Sequence, residues 1–297
     1  MTIRFAKAKP EDGHDGFFTA DNPRVLVKPD EFPKPLYPGD EGFWAHFSEV
    51  IQEVSAAKDN ANYRSRTAQA LIDRGVKTAA DAAVAVHKDW PGDLILVAAK
   101  ACKGKMRDFK KAVPSNFTDG VVLLNHLINA AAWMVSPSSF CAKWNFMVPR
   151  PEEVAGAIAR DELEAPDWVK LALFRAVPRE TLVADQRRFT MYPEGCPPHP
   201  SYNAMHAAAA GAGCTVVKVM MDLPPEERAM VDLTASNMAH FRATAGVHYP
   251  QDNAVGLWLG QEVVNRWLPD YMEKMVGIQA DEVNAALKDA QTDWGAK

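Results

Sequence analysis

Apolar residues recur at helical spacing along most of the chain. Phe43, Trp44, Phe47, Val50, Ile51 and Val54 fall on one face of a helix, and Val121, Leu124, Leu127, Ile128 and Ala131 repeat the pattern. Further helices are predicted near residues 78 to 102, 151 to 160, 166 to 174, 202 to 221, 225 to 245 and 251 to 275, separated by short Pro or Gly punctuation. No segment alternates β-branched and polar residues as a strand would, so the expected architecture is all-α, an antiparallel helical bundle formed as one domain over residues 41–297. Ahead of it, Pro10, Pro23, Pro29, Pro33, Pro35 and Pro38 stand too densely for helix interiors, which predicts an irregular Pro-rich arm over residues 1–40. No repeat of fixed period is visible.

With 297 residues, 47% of them apolar, the chain can bury a large core. A net charge of −5 argues against a general nucleic-acid or anionic-membrane binder, so any positive charge that matters must be local. No apolar signal segment or membrane-length run stands out, which gives a cytoplasmic expectation. Cys102, Cys141, Cys196 and Cys214 are scattered, without the spacing of a zinc knuckle or a disulfide framework.

Three patches hold such local charge. In the first, Lys143 and Arg150 stand seven residues apart before Pro151, about two helical turns, so both cations share a side if the helix persists to Pro149. The second runs from His199 through Pro200, Ser201 and Ala204–Met205 to His206. A run of Ala and Gly follows it, and this places His206 near the start of a tightly packed helix whose free amides attract anions. In the third, Arg242 precedes Gly246, a helix stop, and His248 sits in the turn before Pro250, with Asp252 one turn on to hold an imidazole nitrogen. Singly, each patch also fits a purely structural role: a solvated lysine, a packed histidine, a capping arginine.

Taken in order, Lys143-x6-Arg150-Pro151, the patch ending in His206, and Arg242-x5-His248 resemble the three-part signature of the vanadium-dependent haloperoxidases and type 2 phosphatidic acid phosphatases. The resemblance covers residues from about 120 to 268. It implies a helical bundle with a cage for vanadate or phosphate built from residues 143–252. Lys143, Arg150 and Arg242 would neutralise the equatorial oxygens, and His248 would be the metal ligand, or the nucleophile of a phosphatase. His206 would be the acid–base group, Asp252 would hold His248, and His199 would lie where bromoperoxidases of the family tend to have histidine.

The middle motif departs from the family pattern. Ala204 and Met205 replace its Ser and Gly, removing a hydroxyl and putting an oxidisable thioether against the anion. Met205, Ala204, Phe140 and Trp144 are the expected pocket walls. The leading expectation is peroxide-dependent halide oxidation with bromide favoured, using hydrogen peroxide, halide and a small organic substrate. The alternatives are rearrangement or cyclisation of a meroterpenoid-type substrate without halide oxidation, as in bacterial secondary metabolism, and an acid phosphatase with a histidine nucleophile. An apolar all-α chain is compatible with a homodimer. His46, His87, His126 and His240 are expected to be packed or solvated, and Trp133 to be a core or pocket wall.

Overall fold

A computed structural model describes residues 19–59, 91–109, 120–192 and 194–296. Pro10, most of the helix expected from residue 78, His87 and the side chain of Val121 lie outside the described residues.

The described chain is mostly helical, as the periodicity predicts. After an irregular stretch with a 3-10 turn at Pro29–Glu31 come α1 (Phe43–Asp59), α2 (Pro91–Ala101), α3 (Gly120–Phe146), α4 (Pro151–Ala159), α5 (Asp167–Ala176) and α6 (Arg179–Ala184). A 3-10 turn at Gln186–Phe189 precedes α7 (Met205–Met220), α8 (Pro225–Thr244), α9 (Pro250–Tyr271), a π turn at Met272–Val276 and α10 (Ala280–Asp289). One pairing falls outside the all-helical expectation. β1 (Lys105–Met106) and β2 (Met221–Asp222) form a two-residue antiparallel ladder, too short to show as alternation in the sequence. No helix among the described residues is long and apolar enough to cross a membrane.

The Ala- and Gly-rich α7 is the axis of the bundle, with α9, α3, α8, α2 and α10 packed around it. Small residues are needed there because the backbones nearly touch. A Cβ on Gly260 of α9 would meet Ala208 O at 2.1 Å, and one on Gly256 would meet Ala204 O at 2.5 Å. The arm is pinned from several sides: Val27 N donates to Ser138 Oγ at 3.0 Å, Tyr37 Oη donates to Phe146 O at 2.6 Å, and Phe32 packs edge-on to Trp258.

Two expectations are corrected. α3 does not persist to Pro149 but stops at Phe146, where Met147 takes a left-handed φ of 55°. Proline lacks an N–H to continue the ladder and disfavours helical geometry in the residue before it, Val148. Trp133 is not a core or pocket wall, since 66% of it is exposed on the outer face of α3.

Candidate functional site

Each site residue is placed by a helix end. Lys143 occupies the last turn of α3, and Arg150 is the N-cap of α4, its backbone N–H donating to Glu153 Oε2 at 2.8 Å. Ala204 caps α7, so Met205 and His206 are that helix's first two residues. Arg242 closes α8, Gly246 turns the chain at φ 73°, and Asp252 lies in the first turn of α9. Lys143, Arg150, Arg242, His248 and Asp252 are all buried.

Lys143, Arg150, His248 and Asp252 belong to one hydrogen-bonded network. Arg150 Nη1 donates to Val247 O at 2.7 Å and to His248 Nε2 at 3.0 Å, and its Nε and Nη2 donate to His199 O and His199 Nδ1, each at 2.9 Å. A guanidinium can only donate, so His248 Nε2 is the lone-pair nitrogen and its proton sits on Nδ1, toward Asp252. His199 Nδ1 lies between the Arg150 guanidinium and Pro200 O, 3.2 Å away. Asp252 Oδ2 accepts from Ser201 Oγ at 2.5 Å, from Tyr249 N at 3.1 Å and from His248 Nδ1 at 3.3 Å. Its other oxygen, Oδ1, has no partner. Lys143 Nζ donates to three backbone carbonyls, Pro200 O at 3.0 Å, Ser201 O at 2.9 Å and Asn203 O at 2.5 Å.

Burial and crowding of cations govern the titrations. Burial first, then Arg150, Lys143 and Arg242, hold His248 well below the ordinary histidine value. His199 is pushed down to about 2 by burial, Lys143 and Arg150. His199 is therefore neutral at physiological pH, and the shift at His248 likewise favours its neutral form. Burial raises the Asp252 carboxyl against its hydrogen bonds and the nearby Lys143 and Arg150, and burial and Arg150 depress Lys143 while Asp252 opposes them.

Beside this sealed network lies an open cleft of about 540 Å³, lined by Tyr192, Glu194, Gly195, Cys196, Pro197, Pro198, His206 and Arg242. Of the predicted residues, only His206 and Arg242 line it. The Arg242 guanidinium carbon lies 5.6 Å from the centroid of the Tyr192 ring, and its Nη2 donates to Tyr192 Oη at 2.6 Å, while its buried Nε has no acceptor. Phe140 stands edge-on to His199 with ring centroids 5.4 Å apart. Ala204 is fully buried where α7 meets α9, Met205 is half-buried, and none of Phe140, Trp144, Ala204 and Met205 is among the cleft's lining residues. Sequence reasoning gave no role to Ser201, which joins Lys143's segment to Asp252, nor to Tyr192 and Glu194. No local pattern announces Tyr192 or Glu194, because a turn rich in proline and glycine carries them. His126 and His240, set aside in the sequence, are engaged with Tyr271 Oη at 2.6 Å and with Glu53 Oε2 at 3.3 Å.

In this arrangement the residues do not fit a vanadate. Each of the three Lys143 N–H groups already has an acceptor, the His248 Nε2 lone pair that would meet the metal accepts from Arg150, and Ala204 offers no hydroxyl.

Comparison with known proteins finds no matching family model and no similar curated protein. Among solved structures, the chain is similar to a bacterial vanadium-dependent iodoperoxidase, with a TM-score of 0.45 and 18% identity over 79% of this chain and 51% of that one. The chain thus spans about half the length of that enzyme.

Proposed function

We propose that the chain is an enzyme that acts on an organic substrate bearing an oxyanion, binding it at Arg242 and moving a proton through His206 in a rearrangement or cyclisation that needs no halide oxidation. One observation carries this reading: the donors and lone pairs of Lys143 and His248 are satisfied internally, whereas Arg242 and His206 meet at an open cleft. Arg242 is anchored through Nη2 on Tyr192 Oη and has a buried Nε without an acceptor, so the guanidinium keeps donor capacity that suits a carboxylate, phenolate or enolate oxygen. His206, at the first turn of α7, lies where a bound substrate can exchange a proton with an imidazole, and the helix's free amides favour negative charge developing beside it. Cys196, Pro197 and Pro198 supply an apolar wall.

A second reading, peroxide-dependent oxidation of bromide with vanadate, is favoured by the convergence of Lys143, Arg150, Arg242 and His248 into one buried network of excess positive charge. It requires Lys143 and Arg150 to release their present acceptors. A phosphatase with His248 as nucleophile meets the same obstacle at Nε2.

The test is thermal unfolding with organic carboxylates, phosphate and orthovanadate, run beside a bromination assay with peroxide and bromide. A carboxylate-dependent rise in melting temperature that Arg242→Gln abolishes, with no bromination, is expected. Vanadium retained in stoichiometric amount through gel filtration, together with bromination, would replace this reading with the second.

A further inference from the structure

The segment from His199 to Ala204 is held from two sides. On the α3 side, Ser139 and Lys143 lie one helical turn apart. Ser139 Oγ donates to Asn203 Oδ1 at 2.9 Å, and Lys143 Nζ donates to the carbonyls of Pro200, Ser201 and Asn203. On the α9 side, Ser201 Oγ donates to Asp252 Oδ2 at 2.5 Å and Ala204 N donates to Asp252 O at 2.9 Å. This segment sets the position of both histidines that flank it: His199, which accepts from Arg150, and His206, which enters the cleft.

An ammonium has three N–H donors and no acceptor, and Lys143 directs its three donors at three carbonyl oxygens of one loop. A neutral amine would turn its lone pair on one of those oxygens, so the geometry selects the charged form. The interior carbonyls of Ser201 and Asn203 would otherwise be left without a donor among the described residues, which interiors seldom tolerate.

We propose that Lys143 is a positioning residue: its ammonium is a fixed clamp on residues 200–203 that holds Ser201 on the Asp252–His248 pair and aims His206 into the cleft, and it does not contact the bound anion. The last clause rests on the cleft being an oxyanion site; the clamp itself does not.

Side-chain nitrogen NMR of the whole chain at neutral pH tests it. Lys143 should give an ammonium signal that exchanges slowly with water and stays within its linewidth as inorganic phosphate is added, while the Arg242 Nε signal moves. Loss of the signal in Lys143→Gln assigns it. If that variant does not fold, the slow signal that survives Lys218→Met is Lys143, the other lysine fully buried among the described residues having been removed. In a folded Lys143→Gln, the His199 and His206 ring nitrogens should shift, and in Lys218→Met they should not. A Lys143 signal that moves with phosphate alongside Arg242, or that exchanges as fast as surface lysines, overturns the proposal. If phosphate moves neither signal while Lys143 still exchanges slowly, the clamp is supported and the oxyanion reading of the cleft fails.

Discussion

Arg150 Nη1 donates to His248 Nε2 at 3.0 Å, and this contact fixes what His248 can do. The imidazole is neutral, its proton is on Nδ1 toward Asp252, and its remaining lone pair is engaged by a cation that cannot be deprotonated under ordinary conditions. His248 is thus a link between Arg150 and Asp252, and the histidine that lines the cleft is His206.

The first prediction concerns pH. His199 has a pKa of about 2 in the fold against an ordinary value of 6.5, and His248 is depressed as well. Below about pH 6.5 the unfolded chain therefore takes up protons that the folded chain refuses, so stability is present above that pH and is lost as pH falls. The loss from His199 should reach about 1.4 kcal/mol by about pH 5.5, with His248 adding in the same direction. His240, raised by its hydrogen bond to Glu53, and the raised Asp252 work in the opposite direction and reduce the net effect. Urea unfolding at mildly alkaline, neutral and mildly acidic pH measures it. Stability that is flat or rising toward acid would show that the two rings are not held neutral.

The helices were legible because burial and period agree. Phe43, Phe47, Val50, Ile51 and Val54 all face the core, and Gly246 and Pro250 mark the turn that carries His248. The convergence of Lys143, Arg150 and His248, and the pairing of His248 with Asp252 at one helical turn, could also be read from spacing and motif order. The destinations of the donors could not. Lys143 meets backbone carbonyls from nearly sixty positions away, and a carbonyl is the same group in every residue, so no residue type marks it as an acceptor. The same holds for Val247 O, which Arg150 reaches across the bundle. Cleft and cage were therefore one site in the sequence and are two neighbouring environments in the structure.

A second prediction tests the seam between α7 and α9. In an exposed helix, Gly→Ala gains about 1 kcal/mol. At Gly260 the sign should reverse, because the new Cβ would lie 2.1 Å from Ala208 O and 2.4 Å from Ala212 N, backbone atoms that cannot rotate away. Gly260→Ala should lose about 1 to 3 kcal/mol, the range for overpacked cores. A melting temperature equal to or above that of the parent would mean the two helices are farther apart than described.

A third prediction addresses a buried lysine away from the site, Lys218. Lys218 Nζ lies 2.7 Å from Asp232 Oδ1, donates to Thr292 Oγ1 and stands 5.7 Å from the Trp294 ring, tying the segment after α10 to the bundle. Asp232→Ala leaves that ammonium buried without its counter-charge and should cost about 3 to 5 kcal/mol. Lys218→Met combined with Asp232→Leu should cost much less, because no charge is then stranded. Equal losses in the single and double variants, measured by denaturant unfolding, would show that packing rather than charge sets the effect.

The last prediction tests the two departures from the haloperoxidase pattern. If Ala204 and Met205 alone kept the chain from oxidising halide, introducing the pattern's Ser and Gly with Ala204→Ser and Met205→Gly would give bromination. The geometry predicts that it does not. Ala204 is fully buried and does not line the cleft, so a serine hydroxyl there has little room to turn toward an anion. A glycine at 205 adds freedom to the first residue of α7 but leaves Lys143 on its three carbonyls and Arg150 on His248 Nε2. The double variant, supplied with orthovanadate, peroxide and bromide, should therefore brominate no faster than the parent and should lose about 1 kcal/mol of stability from the glycine in the helix. A rate well above the parent's would mean that the clamp on residues 200–203 yields to the anion, and that the haloperoxidase reading should replace the one proposed.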